Sequence, residues 1–212
     1  QELLPGNIQL YKLKDVNITE DIPEEAATLE GNAIAKARYV FNATGKSCFA
    51  DDTGLEIEAL NNEPGVYSAR YAGESKDNEA NIDKVLRKLN GISYRNARFR
   101  TVICLIVNNI ELIFEGIVNG SITEERSGDR GFGYDPVFMP ESEHRTFGEM
   151  PLDEKNKISH RSRAINKLAE NKKMIASFSR ALLQDLHAEQ TDQEFNRELK
   201  DAVVKIYQAS IT

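Results

Sequence analysis

Long hydrophobic runs are missing from this chain. The longest, Val102 to Val107, falls far short of the ~20 apolar residues that a membrane-spanning helix needs. No membrane span is therefore expected. Cysteine is scarce as well: Cys48 and Cys104 lie far apart in apolar segments, without metal-ligand spacing. They read as buried free thiols of a reducing cytoplasm rather than as a disulfide framework. Nor is there a surplus of positive charge. Against 34 Asp and Glu stand 27 Lys and Arg, a formal net charge of -7, and the sequence pI is about 5.2. That balance argues against a sequence-independent grip on DNA or RNA, which depends on clustered cations displacing counterions. Local basic groups and a divalent cation still suit a single nucleotide. Internal repeats, low-complexity tracts and a basic-then-apolar signal segment are all lacking, and Gln1 in place of Met reads as a trimmed beginning.

What is present suits one globular domain with an appendage. A chain of 212 residues is long enough to bury roughly 70% of the surface it exposes when unfolded. Ile8, Leu10 and Leu13 predict a short strand, and the acidic stretch 15–25 a turn region ending at Ile22 and Pro23. A helix follows, with Thr28 as N-cap, Ala33, Ile34, Ala37, Val40 and Phe41 at helical spacing, and Gly45 as its stop. Ser47 to Ala50 reads as a short buried strand that delivers Asp51 and Asp52 to its end, and 55–60 as a separate strand. A second helix is expected from Asp77 to Leu89. Arg98 to Asn108 and Ile110 to Asn119 are the strongest strand signals, joined by a tight turn at Asn108 and Asn109. The stretch 127–135, rich in glycine, aromatics and charge, reads as a functional loop. A third helix begins near Ser159. Beyond Met174 two amphipathic segments follow, separated at Thr191, which gives a domain over 1–173 and a helical extension over 174–212.

Four groups of residues carry chemistry. Asp51, Asp52, Thr53 and Gly54 suit magnesium, a hard cation that takes oxygen ligands and keeps several waters; read alone, they also suit an acidic turn. Glu30, in a first helical turn, is a candidate third carboxylate, although the helix dipole favours an acid there in any case. In Gly131 to Pro136, two glycines flanking Phe132 let backbone approach a ligand while the ring offers a stacking face; Asp135 either meets a base edge or fixes the loop. An ordinary packed turn has the same composition. Lys155, Lys157, His160, Arg161 and Arg163 cluster at a helix start, where anions are favoured, or else form a solvated basic face. Arg70, beside Tyr71, reaches phosphate or pairs with surface acids.

Taken in order, LEGNAIAKAR at 29–38, FADDTGLEIEAL at 49–60, PGVYSARYAG at 64–73, GFGYDPVF at 131–138 and KISHRSRA at 157–164 resemble the inosine triphosphate pyrophosphatase family. The resemblance implies an α/β fold built on an elongated, long mixed twisted β-sheet flanked by helices, with two lobes around a central nucleotide cleft, usually in a homodimer. It implies an enzyme that hydrolyses non-standard purine nucleoside triphosphates, those of inosine, deoxyinosine and xanthosine, to monophosphate and pyrophosphate with Mg2+. Asp52 matches the family's catalytic acid and metal ligand, with Asp51 beside it. Thr53, the loop Phe132, Gly133, Tyr134 and Asp135, then Lys155, His160 and Arg161 match substrate contacts, the last two at the base. The family's helical metal-binding Glu stands directly before an Asn; here Gly31 takes that place and Glu30 lies one step earlier, a turn of about 100°.

On these grounds Asp52 is expected to orient or deprotonate water for attack at the α-phosphorus, with the metal and Lys155 neutralising the departing pyrophosphate. His160, Arg161 and backbone N–H groups are expected to donate to the six-position carbonyl of the base. Two rival readings stand beside this one. The family's opening strand and Thr or Ser, Asn, Lys phosphate loop would precede the point where this sequence starts, so one rival is a nucleotide-binding module with impaired catalysis. The other is an interaction protein whose C-terminal helices recruit a partner.

Overall fold

The computed structural model describes residues 11–107 and 109–169. The strand expected at Ile8 and Leu10 and the whole extension over 174–212 lie outside the described residues, while Leu13 opens a short 3-10 turn, Leu13–Val16. Among the described residues five strands form one sheet in the order β2-β1-β3-β4-β5. They are β1 Cys48–Ile57, β2 Glu63–Pro64, β3 Asn96–Val107, β4 Ile110–Ile122 and β5 Phe138–Pro140. Every pairing among the described strands is antiparallel. Helices α1 Leu29–Thr44, α2 Asn78–Lys88, α3 Leu152–Ile158 and α4 His160–Ala169 complete the α/β architecture.

Helix α1 has the expected bounds for local reasons. Thr28 accepts a hydrogen bond from the Gly31 N–H, and Gly45 closes the helix in the left-handed conformation at φ 65°. Asp77 caps α2 in the same way, accepting from the Glu79 and Ala80 N–H groups. The β1 strand departs from expectation. It is continuous from Cys48 to Ile57, with Asp51 opposite Ile103 and Asp52 opposite Val102. The two carboxylates therefore lie in mid-strand rather than at a strand end. Cys104 is buried but Cys48 is only half-buried, and Phe49 beside it is 42% exposed.

Strand alternation sorts the side chains onto two faces. On one face α1 covers Val102, Cys104 and Ile106, which pack with Leu29, Ala33 and Ala37. On the other, Ile103, Leu105, Val107 and Phe114 meet Ala164 and Leu168 of α4. Farther along that second face, Leu55, Ile57, Phe99 and Val118 meet Ile82 and Val85 of α2 and the loop residues Tyr134, Phe147 and Met150. Truncating one of these sealed side chains, such as Leu55, costs about 3 kcal/mol. Close backbone approach fixes α4. A Cβ on Gly116 of β4 would lie 2.0 Å from the His160 carbonyl oxygen and 2.4 Å from the Ala164 nitrogen, so only glycine there lets the helix start rest on the sheet.

Candidate active site on the two faces of one strand

Consecutive residues of a strand point to opposite sides, and the partners of Asp51 and Asp52 agree. Asp52 faces α1. Its carboxylate accepts from Asn32 Nδ2 at 3.1 Å and from Lys36 Nζ at 2.8 Å. Lys36 also donates to Glu24 at 2.8 Å, and Arg70 reaches the same Glu24 through its carboxylate at 3.5 Å and its backbone oxygen at 3.1 Å. The Arg70 guanidinium lies over the exposed Tyr67 ring, 5.4 Å from its centroid. Burial pushes the Asp52 carboxyl up, against the opposing pull of Lys36 and Asn32. Burial also acts on Glu24 but is outweighed by Lys36 and Arg70, which hold it below the usual carboxylate range. Lys36, bonded to both acids, stays charged above its ordinary range despite its own desolvation.

Sequence reasoning missed Glu24, Asn32 and Lys36. A signal existed, since Asn32 and Lys36 stand four apart on α1 and share a helix face. Gly31 explains the local path: a Cβ there would meet Ala26 Cβ at 2.7 Å. Its absence lets the 24–26 segment fold back onto α1, where the Ala26 N–H donates to Asn32 Oδ1 at 2.9 Å. Glu30, by contrast, is exposed and makes no hydrogen bond or ion pair with Asp52 among the described residues. The structure does not bring these two together.

Asp51 and Thr53 face α4. Arg161 donates from Nε and Nη2 to Asp51 Oδ2, both at 3.2 Å, and its Nη2 stands 3.5 Å from the Thr53 hydroxyl. Thr53 in turn shares a 2.7 Å hydrogen bond with Thr101 on β3. The same guanidinium lies 5.7 Å from the centroid of Phe132, whose ring is 49% exposed. One arginine thus joins the acidic strand, the glycine-aromatic loop and the basic helix start.

That loop is pinned from below. Asp135 accepts from the Phe132 N–H at 2.8 Å and pairs with buried Lys155, whose ammonium lies 4.9 Å from the Phe132 centroid and 5.4 Å from that of Phe147. Gly131 at φ 78° and Gly133 at φ 59° supply the left-handed turns on either side of the ring, and a Cβ on Gly131 would strike the Asp135 carboxylate. Buried Tyr134 donates to the Ser68 carbonyl at 2.8 Å, tying the loop to the turn after β2. Lys155 is paired with Asp135 at the aromatic end, whereas Lys36 and Arg70 are paired with Glu24. Burial raises the Asp135 carboxyl, against the pull of Lys155.

The basic residues divide between two helices. Lys155 and Lys157 belong to α3, which the sequence reading did not anticipate, and His160, Arg161 and Arg163 to α4. Ser159 separates the helices and its hydroxyl accepts from the Ser162 N–H at 3.2 Å. His160 stacks on Phe99 with centroids 4.6 Å apart and planes inclined 19°. Burial first, then Arg161, Lys155 and Arg163, depress its pKa well below 6.5.

Among the described residues no group of three or more His, Cys, Asp or Glu forms a ready cation cage, and no helix is long and apolar enough to cross a membrane. Comparison with known proteins gives a consistent picture. Residues 1–171 match the model of the Ham1 family. A dITP/XTP pyrophosphatase from Flavobacterium johnsoniae is 52% identical over 170 residues, covering 80% of this chain and 88% of the relative. The solved Ham1 protein of Staphylococcus aureus is 43% identical with a TM-score of 0.71, covering 74% of this chain and 82% of that one. A HAM1 protein from Coxiella burnetii is 40% identical with a TM-score of 0.74, covering 87% and 91% respectively.

Proposed function

The chain belongs to the Ham1 family, and from that premise we propose that it hydrolyses non-standard purine nucleoside triphosphates to monophosphate and pyrophosphate, clearing them from the nucleotide pool. The observation that carries this reading is the position of Arg161, which contacts Asp51 and stands over the Phe132 ring. A base stacked on that ring lies beside the strand whose next residue is Asp52.

The α1 side of β1 is the phosphate end. Asp52 takes a proton from the attacking water, and its raised pKa is in the direction that serves a general base. Attack at the α-phosphorus breaks the bond to pyrophosphate, and Lys36 and Arg70 are the cations at hand for the charge that leaves. Lys155 belongs instead to the aromatic end, paired with Asp135 and 4.9 Å from the centroid of the Phe132 ring. Mg2+ suits the donors present, because it is held by one or two carboxylates together with substrate phosphates and needs no all-protein cage. Asp52 and Glu24, joined through Lys36, would hold it, Glu24 in place of Glu30. When bound it would supply Lewis-acid polarisation of the phosphate oxygens.

The α4 side is the base end. Phe132 stacks the purine, while Arg161 keeps Nη1 uncommitted among the described residues and donates it to the six-position carbonyl. His160 reads the same edge. Adenine, with an amino group at that position, leaves a buried donor unmatched at a cost of about 1–3 kcal/mol. Assembly as a homodimer belongs to the same proposal and is measurable as solution mass.

The test is product analysis against inosine, deoxyinosine, xanthosine and adenosine triphosphates, with and without magnesium. Monophosphate and pyrophosphate from the oxo-purines, in magnesium only, are expected. Release of orthophosphate, or equal cleavage of ATP, would refute the reading.

A further inference from the structure

Among the described residues two buried side-chain polar atoms have no hydrogen-bond partner: Oδ1 of Asn156 and Nδ1 of His160. They belong to one corner of the fold, Asn156 near the end of α3 and His160 opening α4. Orphaned buried groups cost free energy, and two at one corner require a physical explanation. Their chemistries differ. An amide Oδ1 only accepts, whereas an imidazole Nδ1 donates or accepts according to the tautomer. With the proton on Nε2 the corner would bury two bare acceptors. With the proton on Nδ1, the pair contains one donor and one acceptor.

We propose that Asn156 is a positioning residue for base recognition: its Oδ1, through one bridging water, keeps the His160 proton on Nδ1 and leaves Nε2 as a lone-pair acceptor toward the base. Of the two ring nitrogens only Nδ1 is sealed off without a partner. The ring itself is held in place by Phe99 and by Phe147, whose centroid is 6.5 Å away. Burial first, then the charges of Arg161, Lys155 and Arg163, disfavour a second proton, so the tautomer is the property left to be set.

The consequence for selectivity rests on the function proposed above. A 6-oxopurine presents an N1–H donor beside its carbonyl acceptor. Nε2 accepts from N1–H while Arg161 donates to the carbonyl. Adenine presents the reverse, a bare N1 and an amino group, so acceptor meets acceptor and donor meets donor. Guanine shares the oxo edge, and this pair therefore separates oxo from amino purines only.

Ring 15N chemical shifts of the full chain labelled at histidine test the assignment. The chain has only three histidines, and His160→Gln identifies the signals of interest. Expected are a protonated Nδ1 and a bare Nε2 in the unmodified protein. Asn156→Leu moves the pattern toward protonated Nε2 and raises KM for inosine triphosphate by about tenfold with little change in kcat. Asn156→Asp at pH 8, which keeps an acceptor oxygen, retains the original pattern. A proton on Nε2 in the unmodified protein overturns the proposal even if no variant folds, and so does an unchanged pattern in Asn156→Leu. Absence of inosine triphosphate hydrolysis would sink the enzymatic reading while leaving the tautomer result intact.

Discussion

On the α1 side of β1, Asp52 shares a lysine with Glu24 and is surrounded by polar and charged groups. On the α4 side, one residue earlier, Asp51 holds an arginine that lies over an aromatic ring. The first environment is built from carboxylates and cations that balance one another. The second is built from stacked rings, with charge either buried in a pair, as at Lys155 and Asp135, or excluded, as at His160. The difference teaches that adjacent aspartates need not act as a pair. One strand step, about 3.3 Å, separates Asp52, the proposed proton acceptor, from Asp51, which holds Arg161, the proposed base reader.

The contrast is sharpest if each side is damaged alone. Asp52→Asn removes the proposed base and nearly keeps the side-chain shape, although its amide nitrogen cannot accept, so only one of the two hydrogen bonds from Lys36 and Asn32 is retained. Turnover of inosine triphosphate is expected to fall about a thousandfold with an intact fold, as followed by pyrophosphate release and circular dichroism. Near-normal turnover would remove Asp52 from the chemistry. Lys155→Met acts on the other side and on stability. It leaves the Asp135 carboxyl buried without its cation, so a loss of about 3 kcal/mol in urea unfolding is expected. Adding Asp135→Asn should recover part of that loss, because the pair is coupled; simple additivity of the two would mean that they are not.

Arg161→Gln is expected to lower kcat/KM for inosine triphosphate about 30-fold, the loss of charge-assisted hydrogen bonds, with a much smaller effect on ATP. An equal loss on both substrates would place Arg161 at the phosphates instead. The smallest effect concerns His160. The unfolded chain takes up a proton below about pH 6.5 that the folded chain refuses, since the folded pKa is depressed. Stability therefore falls as pH drops through that range, by at most about 1.4 kcal/mol per pH unit. His160→Gln removes this part of the slope, measurable as a flatter Tm between pH 7 and pH 5; an unchanged slope would assign the acid sensitivity to other groups.

Much of the frame was legible from local signals. Thr28 and Gly45 bounded α1, Asp77 started α2, and the apolar runs gave β3 and β4 because those strands carry most of the buried sheet. The continuity of β1 was hidden, since two aspartates and a glycine interrupt its apolar pattern. They are tolerated in mid-strand because each aspartate finds a cation on a different helix. Helix α3 was hidden by Pro151 and a run of charges without apolar periodicity. Glu24 lay in what read as an acidic turn, and its place beside Lys36 depends on tertiary contacts that no short motif encodes.

The division of labour across β1 is tested most directly by kcat/KM for inosine triphosphate and ATP in Asp52→Asn, Arg161→Gln and the double variant. If the two faces are separate, Asp52→Asn lowers both substrates by one common factor and Arg161→Gln changes their ratio. The double variant then shows the product of the two effects. A ratio that shifts in Asp52→Asn, or that stays fixed in Arg161→Gln, would contradict the separation.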